Sequence, residues 1–169
     1  ELKNLSFPYC VSINSRFINE ESTATTYKPA DITVTLAHEL GHYLGLHHVF
    51  SETERGNSCE DTDYCTDTPT YNKEAYDMNY AYIAANEPEN FTFANLVNRE
   101  NCLTGESFVS HNIMDYAISH SDQFTPEQQA RIRHVLLYSP LIPGPKAVQE
   151  AGTRSAPDGL MKLPIRTAK

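Results

Sequence analysis

Residues 38–48 read His38-Glu39-Leu40-Gly41-His42-Tyr43-Leu44-Gly45-Leu46-His47-His48. On a helix, His38 and His42 lie one turn apart, so both imidazoles leave the same face. Two neutral ring nitrogens at that spacing can share one small divalent ion at roughly 2.0–2.1 Å, the zinc–nitrogen distance. Glu39 is one step round the helix. It is poorly placed to share the ion but can reach a water held beside it. Gly45 stands where the chain must turn, and glycine accepts the left-handed backbone that ends a helix. The turn returns His48 as a third nitrogen. Three protein ligands leave a fourth position open, the arrangement of a catalytic zinc site rather than a structural one. Chance would produce these five fixed positions on the order of 10⁻⁴ times or less per chain of this composition. Incidental histidines on a core helix are therefore the weaker reading. His47 competes as third ligand, but the spacing selects His48.

The chain has 169 residues, enough for one domain with a real core. It is 40% hydrophobic and 21% charged, as globular proteins are. A net charge of −9 and the lack of a basic patch argue against a nucleic-acid partner. Plain solubility accounts for the acidity. Of the four cysteines, Cys59 and Cys65 fall in a polar, turn-rich segment that suits a disulfide. An even count points to an oxidising compartment and allows three connectivities. No signal peptide or membrane-spanning run is visible, and Glu1-Leu2-Lys3-Asn4-Leu5 reads like the interior of a longer protein. Any lipid anchor would lie upstream.

Outward from the histidine stretch, residues 8–18 alternate Tyr9, Val11 and Ile13 against Cys10, Ser12 and Asn14, a strand pattern. Residues 19–28 form a polar loop. Pro29 and Asp31 open the histidine helix, with Asp31 as its cap. Ile32, Leu36, Leu40, Tyr43 and Leu44 recur at helical spacing and predict a core-facing stripe. Residues 51–72 are a long loop in which Asp61, Asp63 and Asp67 form a candidate calcium site, although such loops are more often simply solvated. Residues 73–108 carry little pattern; Tyr76, Tyr80 and Tyr82 are candidates to pack on the domain, and Phe91-Thr92-Phe93 a short strand or helical turn. Thr125-Pro126-Glu127-Gln128 starts a second helix with a capping box, running to about Tyr138 with Ile132, Val135 and Leu136 as its apolar face. Residues 140–169 are rich in proline and read as an extended tail or linker, which leaves 1–139 as the domain.

Met114, in the stretch His111-Asn112-Ile113-Met114-Asp115-Tyr116, gains meaning beside the zinc motif. Together they resemble the metzincin clan of metallopeptidases. Within it the chain looks like the pappalysin/cytophagalysin family. The matching pieces, in family order, are His38 to His48, Cys59, Asp67-Thr68-Pro69, Cys102, Asn112 to Tyr116 and Phe124 to Gln128. The likeness is closest to bacterial envelope members, including lipoprotein-type zinc peptidases. It implies an α+β catalytic domain built on the active-site helix and a C-terminal helix, with most of the N-terminal sheet missing. It implies zinc ligands at His38, His42 and His48, a general base at Glu39, Met114 in the turn under the zinc, and Tyr116 near the metal to stabilise the reacting oxygen. It also implies a Cys59–Cys102 disulfide, with Cys10 and Cys65 expected as a second. The loop from Ala117 to Phe124 should line the specificity pocket, and His120 and Asp122 there suit basic side chains.

The function implied is a zinc endopeptidase acting on protein or peptide substrates, monomeric, and secreted or held at the cell envelope. Two readings compete with it. One is a non-catalytic zinc-binding or interaction fragment that needs its missing N-terminal part. Glu39 and Tyr116, which a structural site would not need, argue against it. The other is a zinc exopeptidase or amidase, for which no residues suggest a pocket for a free terminus.

Overall fold

The computed structural model describes residues 10–14, 31–52, 58–116 and 118–147. Its elements run α1 (Ile32–Tyr43), α2 (Lys73–Asn86), a 3-10 turn (Pro88–Asn90), α3 (Phe93–Leu96), β1 (Asn98–Glu100), β2 (Ser107–Val109) and α4 (Pro126–Tyr138). The class is α+β. Most of the strand expected over 8–18 lies outside the described residues, and 10–14 have no regular structure.

The Asp31 carboxylate caps α1 by accepting from the backbone of Thr33 at 2.8 Å and of Val34 at 3.4 Å. The buried residues of α1 are His38 and Gly41. The expected apolar stripe is only partly buried among the described residues: Ile32, Tyr43 and Leu44 are half-buried, but Leu36 is 41% exposed and Leu40 39%. The helix instead turns its histidine–glycine face inward, and the chain after it supplies the apolar contacts. Leu46, Val49 and Phe50 join Tyr71 and Met114 in the core cluster. Each such side chain contributes about 1.5–3 kcal/mol by burial. The core therefore lies directly beneath the histidines.

The β1–β2 hairpin is antiparallel and pairs Arg99 with Phe108. It turns Arg99 inward, against the expectation for a charged residue. The segment read as unpatterned contains α2, capped by Asn72 and without a buried residue. Tyr76 packs on the core cluster, whereas Tyr82 is exposed. Helix α4 starts at the expected capping box. It buries Gln128 and Arg131, while Leu136, expected on its inner face, is exposed. Residues 140–147 turn back on this helix: Ile142 is buried and Ala147 donates to the Leu137 carbonyl.

Cys59 and Cys102 form a disulfide with a Cα separation of 5.8 Å, closing a loop of sequence separation 43. Chain entropy alone gives such a cross-link about 4 kcal/mol. The expected Cys10–Cys65 bridge is not formed. Both thiols are free: Cys10 is exposed, and Cys65 is buried in the Asp63–Thr68 turn. Burial, seconded by Asp63, pushes the Cys65 thiol up to about 12.

Asp63 organises that turn. It accepts from the Cys65 backbone at 2.9 Å, and its second oxygen lies 2.6 Å from the Thr68 hydroxyl. The same hydroxyl lies 2.7 Å from the Cys65 carbonyl. One hydroxyl proton cannot serve both oxygens. A protonated Asp63 donating to Thr68, with Thr68 donating to Cys65, satisfies all three groups. Burial pushes the Asp63 carboxyl up to about 7, from an ordinary 3.8. The folded chain thus holds a proton that the unfolded chain releases. Stability from this group is complete below the ordinary value and is lost as pH rises through about 7. Asp63→Asn keeps the acceptor and makes the donor permanent. In urea unfolding it is expected to match the wild type at about pH 3 and exceed it at about pH 8. An equal gap at both would contradict a neutral Asp63.

Candidate metal centre

The outward nitrogen of each histidine in the triad is tethered to a fixed acceptor. His38 Nδ1 donates to the Ile113 carbonyl at 2.7 Å, and His42 Nδ1 to the Leu46 carbonyl at 3.0 Å. His48 Nδ1 donates to Glu52 Oε1 at 2.7 Å. Carbonyls only accept, so the tautomers of His38 and His42 are settled: the proton is on Nδ1 and the lone pair on Nε2. The carboxylate does the same for His48. Burial holds His38 and His42 below the ordinary value of 6.5, which favours the neutral rings that bind metal.

The three Nε2 atoms meet. They are 3.1 Å apart for His38–His42 and His42–His48, and 3.3 Å for His38–His48. Lone pairs aimed at one point repel unless a cation lies between them. Nitrogens set tetrahedrally around zinc at roughly 2.0–2.1 Å stand about 3.3–3.4 Å apart. The tripod fits such an ion, and an all-imidazole donor set suits zinc. Among the described residues it is the group of donors that converges in this way. Asp61, Asp63 and Asp67 are not gathered as calcium ligands. Asp63 serves its own turn, Asp61 accepts from the Asp63 backbone, and Asp67 caps α4 by accepting from the Glu127 backbone at 2.9 Å.

The other expected residues cluster around the tripod. Glu39 is half-buried on α1, and its charge reaches both His38 and His42. Met114 is fully buried, and a Cβ at Gly41 would collide with its sulfur. Gly41 is thus required by close packing of α1 on the methionine turn. Gly45 is required twice, by its φ of +87° and by Val135 of α4, 3.0 Å from a Cβ there. Tyr116 is 68% exposed, with ring centroids 5.5 Å from His48 and 6.3 Å from His38. His47 is not in the tripod. It lies beside Glu52 at 3.4 Å and against the Tyr64 ring. In the loop after Met114, Asp122 is paired with His111 at 3.1 Å, and His120 stacks on His111 at 4.4 Å.

Several supporting residues escaped the sequence reading. Glu52 is one: hydrogen bonds from His47 and His48 hold its carboxyl well below the usual carboxylate range. Its sequence signal was only its place four residues after His48. Arg99 is another. It pairs with Asp115 at 3.4 Å, both side chains fully buried, and also donates to the carbonyls of Leu96 and Ile118. Asp115 further accepts from Tyr71 at 2.6 Å and Ser110 at 2.5 Å. Removing one member of such a pair costs about 3–5 kcal/mol. Gln128 does more than close its capping box: its amide exchanges two bonds with Asn112, at 2.9 and 3.2 Å. Asn112 in turn accepts from the Met114 backbone at 2.8 Å. Arg131 donates to the Gly45 carbonyl, tying α4 to the turn between His42 and His48.

Comparison with known proteins agrees with this centre. The peptidase M43 family model, described as pregnancy-associated plasma protein-A, matches residues 9–137, and the chain belongs to that family. An extracellular metalloprotease of Arthroderma benhamiae is 36% identical over 99 residues, 58% of this chain and 29% of that protein. Extracellular metalloprotease 1 of Coccidioides posadasii is 30% identical over 105 residues, 62% of this chain and 30% of that protein. An Arthroderma otae extracellular metalloprotease is 57% identical over 35 residues, 21% and 12% of the two chains. The matches thus span under a third of these relatives' own length. No solved structure matches the chain. Among the described residues, no helix is long and apolar enough to cross a membrane.

Two substitutions test the construction of the centre. Glu52→Ala is expected to weaken zinc binding about 10- to 100-fold in a chelator competition while the protein stays folded. Gly41→Ala should lower unfolding stability by about 1–3 kcal/mol through overpacking. In a Met114→Ala background the same substitution should cost less, because the colliding sulfur is gone.

Proposed function

We propose that this chain carries the catalytic centre of a secreted zinc metalloendopeptidase. The observation that supports it best is the convergence of three lone-pair nitrogens, from His38, His42 and His48, beside one carboxylate on the same helix. These histidines would hold zinc, which supplies a Lewis acid and lowers the pKa of a bound water toward roughly 7.

Glu39 takes the proton of the attacking water and hands it to the leaving amine. The Tyr116 phenol donates to the carbonyl oxygen as that atom gains charge. Met114 has no chemical role; it fills the space beneath the ligands. Asp115, held by Arg99, Tyr71 and Ser110, keeps the turn that carries both Met114 and Tyr116. The substrate is a protein or peptide. Secretion fits the relatives, which are named as extracellular enzymes, and the Cys59–Cys102 bond, which needs an oxidising compartment. A form held at the cell envelope by a lipid anchor is the alternative, on the likeness of the motifs to bacterial members. Residues 1–139 make up the catalytic unit, 140–147 fold back on it, and the proline-rich remainder to 169 is a linker.

The test combines metal analysis with one substitution. The purified chain is expected to hold close to one zinc. Glu39→Ala should keep that zinc and lose peptide cleavage by about 10²- to 10⁴-fold, read by mass spectrometry on a peptide library. Cleavage at the wild-type rate would remove Glu39 as the base, and a folded chain that takes up no zinc would sink the whole reading.

A further inference from the structure

Lys73 stands at the wrong end of a helix. It is the first residue of α2, where the macrodipole is positive and a cation is disfavoured. Asn72 already caps this terminus by accepting from Ala75, and Glu74 supplies the acid of the first turn. The capping and dipole of this terminus gain nothing from a cation here. Yet the side chain is only 16% exposed, and its ammonium donates to Asp77 one turn further on.

The surroundings of that ammonium explain the placement. It lies 5.6 Å from the ring centroid of Tyr116 and 5.8 Å from that of Phe50. Phe50 stacks on His48 at 4.8 Å with the planes 11° apart, and Tyr116 meets His48 edge-on at 5.5 Å. Lys73 therefore rests against both rings that flank the third histidine. Tyr116 is largely exposed, so little else restrains it: its described ring contacts are His38, His48 and Phe50. A cation on an aromatic face restricts that ring, by about two- to tenfold in population.

We propose that Lys73 is a positioning residue. Anchored by Asp77, it packs its ammonium on Phe50 and Tyr116 and holds the Tyr116 phenol over the three-histidine centre. This rests on the metallopeptidase reading and adds to it the device that keeps an exposed tyrosine in place. It also gives a role to α2, which has no buried residue of its own.

The test uses the full chain, with and without zinc. In the metal-free protein, NMR cross-peaks are expected between the Lys73 side-chain methylenes and the Tyr116 ring. Lys73→Met should weaken the Tyr116–His48 cross-peaks, and Lys73→Arg should restore them. In the zinc-loaded protein, on an uncharged peptide, Lys73→Met should lower kcat about three- to tenfold with KM within about twofold. Lys73→Arg should recover most of that loss. In a Tyr116→Ala background, Lys73→Met should add nothing. An equal loss in that background would overturn the proposal. So would a change confined to KM for peptides with acidic residues, which would make Lys73 a reader of substrate carboxylates. If the wild type cleaves no peptide, the metallopeptidase reading fails by itself, and the cross-peaks still decide whether Lys73 positions the ring.

Discussion

The centre depends on what happens on the far side of each imidazole. A histidine ring can rotate and can carry its proton on either nitrogen. Here the Ile113 carbonyl, the Leu46 carbonyl and the Glu52 carboxylate each fix one Nδ1–H. Rotation and tautomer are set together, and three lone pairs are left aimed at one point. Each anchor comes from a different part of the chain: the methionine turn, the turn after α1, and the start of the long loop. Anything that displaces one of them turns one ligand away.

The rest of the molecule can be read as support for those anchors. Ile113 is held because Asn112 and Asp115 are held. Asn112 is clamped by Gln128 at the start of α4, and Asp115 by Arg99, Tyr71 and Ser110. Leu46 is held because Gly45 makes the turn and Arg131 binds its carbonyl. The hairpin, too small to form a core, brings Arg99 inward. Polar residues therefore do much of the work usually given to apolar packing. Buried charge is costly unless paired, and these groups are paired.

Legibility in the sequence varied with the range of the interaction. The caps of α1 and α4 were readable because they span three residues. The histidine motif was readable because its ligands lie within one helix and one turn. Arg99, Gly41 and the second role of Gln128 were not, because each acts on the methionine turn across a long stretch of chain. Helix α2 was missed because it buries no residue and so leaves no apolar period to detect. The leucine stripe of α1 misled for the opposite reason. Period 3.6 marks a face, but which face goes inward depends on the fit of Gly41 against Met114. The expected Cys10–Cys65 bridge failed on similar grounds: pairing parity carries no information about where each thiol is packed.

By itself, then, the chain's order of residues determined the three histidines, the carboxylate beside them, the turn at Gly45 and the two capped helices that frame the centre. All of these rest on local geometry, fixed by 3.6 residues per turn and by the backbone freedom of glycine. Only the tertiary structure decided how the three imidazoles are oriented, what lies beneath them and which of the four cysteines meet. Those outcomes are set by hydrogen bonds and close contacts between segments far apart in sequence, such as Ile113 on His38, Met114 on Gly41 and Cys59 on Cys102. Their energies appear only once the chain has closed on itself.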